Sequence, residues 1–65
     1  MKLFELLEKI DESQTVIISD TENNELSRYD GKNSIDIDII SHSVLYIFSY
    51  IENNQAVIRI QIYDN

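Results

Sequence analysis

Leu3, Leu6, Leu7 and Ile10 recur at helical spacing with Phe4 beside them, while Glu5, Glu8 and Glu12 recur on the other side. The pattern predicts an amphipathic helix over residues 2–11. A helix that short does not hold in water by itself, so its apolar stripe must dock on a neighbouring surface. From Thr15 the period changes. Thr15–Asp20 reads TVIISD, a β-branched run with a polar end, and predicts a strand. Thr21-Glu22-Asn23-Asn24 is a turn cluster, Leu26–Tyr29 a short second strand, and Asp30-Gly31 a hairpin-turn signal. Over Ser34–Ile40, Ile35, Ile37 and Ile39 alternate with Asp36 and Asp38. That alternation predicts a third strand, and the β-branched run argues against a helix.

Ser41-His42-Ser43 breaks the pattern. Val44–Ile51 is then apolar on both sides, with Val44, Tyr46, Phe48 and Tyr50 on one and Leu45, Ile47 and Ile51 on the other. A strand of that kind is expected at the centre of a sheet or covered twice. Glu52–Gln55 reads as a hairpin loop. Ala56–Tyr63 alternates again, with Ile58, Ile60 and Ile62 inward and Arg59 and Gln61 outward. Asp64 and Asn65 are expected to fray.

The sum is a single α+β domain over residues 1–65, an N-terminal amphipathic helix packed on a four- or five-stranded antiparallel sheet. There is no linker, repeat or low-complexity segment. One helix covers one sheet face, which leaves Tyr46, Phe48, Tyr50, Val57 and Tyr63 for the other. An exposed aromatic patch of this kind marks an interface, and Tyr46, Phe48 and Tyr50 are the residues expected to carry self-association into a homodimer. The other outcome is that they curl into a second small core. Area bookkeeping calls for a well-made core or a partner. A chain of 7.6 kDa buries apolar surface worth about 95 kcal/mol. Ordering its residues at roughly 1.5 kcal/mol each offsets nearly all of that.

Twelve acids against five bases give a net charge of −7. That balance disfavours direct contact with nucleic acid, which calls for a basic surface, and with anionic membranes. It favours a basic protein partner, although solubility alone accounts for many acidic surfaces. No cysteine is present, so neither a disulfide framework nor a thiolate enters the reading. The opening Met-Lys-Leu-Phe-Glu-Leu-Leu-Glu is too acidic for a signal peptide, and no apolar run reaches membrane-spanning length. The expected compartment is the cytoplasm of a bacterial host.

Candidate chemistry is sparse. His42 is the sole histidine. Ser41 and Ser43 flank it, but neighbours along the chain lack the geometry of a nucleophile–base pair with an orienting acid. Asp30, Asn33, Asp36 and Asp38 loosely suggest a calcium loop without its ligand order or terminal glutamate. Gly31 is the sole glycine, too little for a phosphate-cradling loop. The expectation is no enzyme, no catalytic residue, no metal and no cofactor. What remains is the acids. Glu22, Glu25, Asp30, Asp36 and Asp38 gather in the first strands and turns as candidate partner-binding residues. Residues i and i+2 on a strand lie roughly 6.5–7 Å apart, so a row of carboxylates there can imitate a phosphate backbone and occupy a basic groove. Plain solvation explains the same residues.

The order Leu3-Phe4-Glu5-Leu6-Leu7-Glu8-Lys9-Ile10, then Thr15-Val16-Ile17-Ile18, then an acidic Asn-rich hairpin resembles small phage-encoded proteins, among them type II anti-CRISPR inhibitors. Several of those begin with an amphipathic helix followed by an antiparallel sheet with acidic loops, and some mimic the DNA duplex that the nuclease reads. The resemblance covers roughly the first forty residues. A hydrophobic hairpin from Val44 to Tyr63 stands where some of those inhibitors carry C-terminal helices. The resemblance implies a phage or mobile-element inhibitor of a host nucleic-acid enzyme, a CRISPR nuclease above all. The alternative expectation is a structural or assembly module that pairs through its aromatic sheet face.

Overall fold

The computed structural model describes residues 1–29 and 37–63. The elements run α1 (Leu3–Leu7), β1 (Thr15–Ser19), β2 (Glu25–Tyr29), α2 (Ile37–Ile40), β3 (Val44–Glu52) and β4 (Gln55–Ile62). The coarse α+β class is as expected, but the sheet is mixed rather than antiparallel. Its four strands lie in the order β2-β1-β4-β3. The two hairpins, β1–β2 and β3–β4, are antiparallel, and they join through a parallel pairing of β1 with β4 that sets Val16 beside Ile58 and Ile18 beside Ile60.

The inner pair explains itself. β1 is an unbroken apolar run, and Val16, Ile17 and Ile18 are all buried. A strand buried on both faces belongs in the middle, and continuous aliphatic runs are what parallel neighbours use. Val44–Ile51, expected at the centre or covered twice, lies instead at the edge, in β3 beside β4. Two central positions exist in a four-stranded sheet, and β1 and β4 fill them.

The expected helix over 2–11 is shorter. Regular α-helix covers Leu3–Leu7, and the chain continues to Ile10 through tighter bonds from the Lys9 and Ile10 N–H groups to the Leu6 and Leu7 carbonyls. The Glu5 carboxylate accepts the Lys2 N–H at 2.8 Å, which satisfies one orphan donor at the start. Leu3 is fully buried against Val16, Ile18, Ile60 and Ile62, with Leu6, Leu7 and Ile10 packed around them.

The expected strand over Ser34–Ile40 fails where it is described. Ile37–Ile40 is one turn of helix, while Asp30-Gly31 and residues 34–36 lie outside the described residues. β2 and β3 occupy opposite edges, and of the chain between them α2 lies on the α1 side, where Ile39 and Ile40 join the core. Burial of that apolar pair outweighs the β-branched preference for a strand.

Both hairpin turns use asparagine in the left-handed region, where its short polar side chain is tolerated. Asn53 and Asn54 have φ of 52° and 65° between Glu52 and Gln55, a two-residue turn with both centres at positive φ. In the β1–β2 turn Asn23 has φ of 67°. There the Asp20 carboxylate accepts the N–H groups of Glu22 and Asn24 at 2.9 and 2.8 Å. The Asn24 N–H is the main cause of an Asp20 carboxyl held below its ordinary pKa.

Candidate functional site

The two faces of the sheet are finished differently. On the helical face one row runs Ser27, Ile18, Ile60, Ile47 across all four strands. Ile18 and Ile60 are fully buried, yet Ile47 is 53% exposed. The cover from α1 and α2 reaches β1, β4 and the start of β3 at Val44, and stops short of Ile47. Ile51, two residue pairs along the same face, is 69% exposed.

The opposite face has no helix. Its central row is Arg28, Ile17, Arg59, Phe48. Ile17 and Val57 are buried there all the same. Their register neighbours are Arg28 and Arg59 for Ile17 and Tyr50 for Val57, and long amphipathic side chains of this kind cover apolar surface with their stems. Hydrogen bonds fix the roof. Arg59 donates to the Asn23 side-chain and backbone oxygens at 2.8 and 2.9 Å and to the Tyr50 hydroxyl at 3.1 Å. Arg28 donates to Glu52 at 3.0 Å, joining the two edge strands, and also pairs with Glu25 at 3.4 Å. The bond from Glu52 is the main cause of an Arg28 pKa raised above its ordinary value.

The expected aromatic patch is therefore divided. Tyr46, Phe48 and Tyr50 share this face, but Tyr50 is half-buried and hydrogen-bonded into the roof, part of a second small core. Tyr46 and Phe48 stay outside at 63% and 41% exposure. The Phe48 and Tyr50 rings lie 6.2 Å apart. Exposure of Ile47 and Ile51 on the far side was not foreseen, because it follows from β3 being an edge. The signal lies in the Val16-Ile17-Ile18 run of β1, which claims an inner place.

Of the candidate acids, Glu22 is exposed in the β1–β2 turn, and Glu25 is paired with Arg28. Asp38 is exposed, but on α2, so the carboxylate row at strand spacing loses its basis there. Asp30 and Asp36 lie outside the described residues. Around the sole histidine, His42 Nδ1 lies 2.6 Å from the Tyr63 carbonyl, and the Ser41 hydroxyl donates to the Asp38 carbonyl. Those groups tie the start of β3 to the end of β4 and close α2. Among the described residues no three His, Asp or Glu gather as metal ligands, and no helix is long and apolar enough to cross a membrane.

The arrangement is that of a small α+β domain with one short, charged edge at β2 and one long, apolar edge at β3. Comparison with protein families, with characterised proteins and with solved structures finds no match to this chain.

Proposed function

We propose that this chain is a non-enzymatic protein-interaction module that works through the apolar margin of β3. One observation carries the reading: Tyr46, Ile47, Phe48 and Ile51 stand exposed on both sides of a single strand that holds no charge from Val44 to Ile51. A long apolar edge strand is a template for pairing, and natural proteins ordinarily blunt such edges with charge, proline or cover. The test compares the wild-type chain with a folded Phe48→Asp variant, by sedimentation and by capture from a bacterial lysate. The reading requires at least one species, a second copy or another protein, that the wild type holds and the variant loses. A wild type that holds neither overturns it.

A second reading is the inhibitor of a basic host nucleic-acid enzyme such as a CRISPR nuclease. Its support is that both arginines are engaged within the fold, Arg28 by Glu25 and Glu52 and Arg59 by Asn23 and Tyr50. Glu8, Glu12, Glu22 and Asp38 meanwhile stand exposed. Binding of this kind is weakened by salt. Replacement of Asp36 and Asp38 by lysine is expected to weaken it without unfolding the domain, and unchanged affinity for a CRISPR nuclease would remove the acid-mimic mechanism.

A further inference from the structure

We infer that the partner of β3 is a second copy of this chain, paired antiparallel with it about a two-fold axis near Phe48 and Ser49, so that the two four-stranded sheets become one. The inference rests on the interaction-module reading above and names its partner.

The two edges of the sheet are built differently. β2 has five residues, and among them Glu25 and Arg28 place charge on the strand. β3 has nine, with no charge before Glu52 and no proline or glycine. Its start is already occupied. Lys2 bridges Ser43, the Leu3 N–H donates to the His42 carbonyl, and the Val44 N–H donates to the Met1 carbonyl. Residues 45–52 are what remains, and the middle of that stretch falls between Phe48 and Ser49.

Opposed residues in an antiparallel pair share a face, so the two-fold axis must lie level with a residue, midway between it and its own copy. Level with Phe48, it sets Phe48 against its own copy and Tyr46 against Tyr50. Level with Ser49, it sets Phe48 against Tyr50 and Ile47 against Ile51. In both registers aromatic meets aromatic and no carboxylate faces another. The charge-free run lets two chains of −7 meet along β3 without opposed carboxylates. Repulsion between the remaining acids acts over longer distances, where salt screens it.

At roughly 200 Å² for a large side chain, the exposed parts of Tyr46, Ile47, Phe48 and Ile51 set a ceiling of roughly 450 Å² per copy. Edge pairing buries the flanks of these side chains and the backbone edge, which makes a small interface, near or below the roughly 1,000 Å² of stable complexes, so the dimer is expected at high concentration.

The test is sedimentation of the full chain over concentrations up to about 1 mM, at low and high salt, with a disulfide trap. The chain has no cysteine, so one introduced thiol reports without background. Opposed antiparallel residues lie ~4.5–5.5 Å apart between Cα atoms, within the ~4.4–6.8 Å of a disulfide. The expected results are a dimer that tightens as salt rises and a linked dimer from S49C or F48C but not from E22C. Phe48→Asp sets two carboxylates beside the axis in either register and is expected to weaken the dimer at least tenfold. Ile51→Lys serves as the second variant should Phe48→Asp fail to fold by circular dichroism. A monomer throughout the range, or a dimer linked by neither S49C nor F48C, overturns the inference. In that case a wild type that still captures another protein through β3 keeps the interaction-module reading, and one that captures nothing removes both.

Discussion

The Arg59 guanidinium holds Asn23 at two points, its side-chain oxygen at 2.8 Å and its backbone carbonyl at 2.9 Å, across 36 residues of sequence. Asn23 needs that anchor least for its own conformation, since asparagine tolerates a φ of 67°. Its position matters more. The β1–β2 turn bends over the face that lacks a helix, and Arg59 ties it there beside Gln61, which donates to the same side-chain oxygen at 3.2 Å.

Arg59→Lys keeps the charge and loses the fork. A lysine cannot reach Asn23 twice and Tyr50 as well. The substitution is expected to destabilise by about 1–2 kcal/mol. In a domain of this size that lowers the thermal midpoint by roughly 4–16 °C. Asn23→Ala in the Arg59→Lys background is expected to add less than it does alone. Chemical denaturation of the four chains measures that coupling, and full additivity would show that the clasp contributes nothing.

Arg28 and Glu52 separate charge from cover. Their pair is open to solvent, with Arg28 exposed and Glu52 half-buried, so Glu52→Gln is expected to change stability by no more than about 1 kcal/mol. Arg28→Ala also removes the stem beside buried Ile17 and is expected to cost more than Glu52→Gln. Urea titration of both variants decides it, and equal losses would mean that the ion pair rather than the stem matters.

Leu3 carries the helix. It is the buried residue of α1, packed on Val16, Ile18, Ile60 and Ile62 of the sheet, and Leu3→Ala is expected to cost about 2–5 kcal/mol. A chain of this length has little more than that in total, roughly 3–10 kcal/mol. Loss of the cooperative thermal transition is therefore the expected outcome, read by circular dichroism, while Leu3→Met is expected to keep it.

Two carboxylates make the fold acid-sensitive. Backbone N–H groups lower the pKa of Asp20, through Asn24 first, and of Asp11, through Ser13 first. A folded pKa below the unfolded one adds stability above the ordinary carboxylate range near pH 4. That contribution is lost as pH falls through the folded values. The thermal midpoint is expected to hold above about pH 5 and to drop as pH falls below about 4, and Asp20→Asn to show a shallower drop. An equal drop would assign the acid sensitivity elsewhere.

Much of this architecture is legible in the residues. The TVIIS run, the Ile58–Ile60–Ile62 alternation and the Asn53-Asn54 turn each announce their element, because strand burial and turn dihedrals act over a few neighbours. The segment Ile37–Ile40 does not. Its alternation fits a strand, and its true place depends on the core that Ile39 and Ile40 join. The candidate site divides in the same way. Tyr46 and Phe48 were identifiable as surface aromatics, whereas Tyr50 belongs to the roof over Val57 only because Arg59 and Asn23 meet there.

By itself the sequence determined the hairpins, the apolar stripe of the first helix and the −7 charge, since local sterics and solvation decide these. Only the tertiary structure decided that β1 pairs parallel with β4 and so displaces β3 to the edge. That choice is a competition between two apolar strands for burial on both faces. β1 fills an inner place with compact aliphatic side chains that pack closely, and the longer aromatic strand is left at the margin, where another chain can reach it.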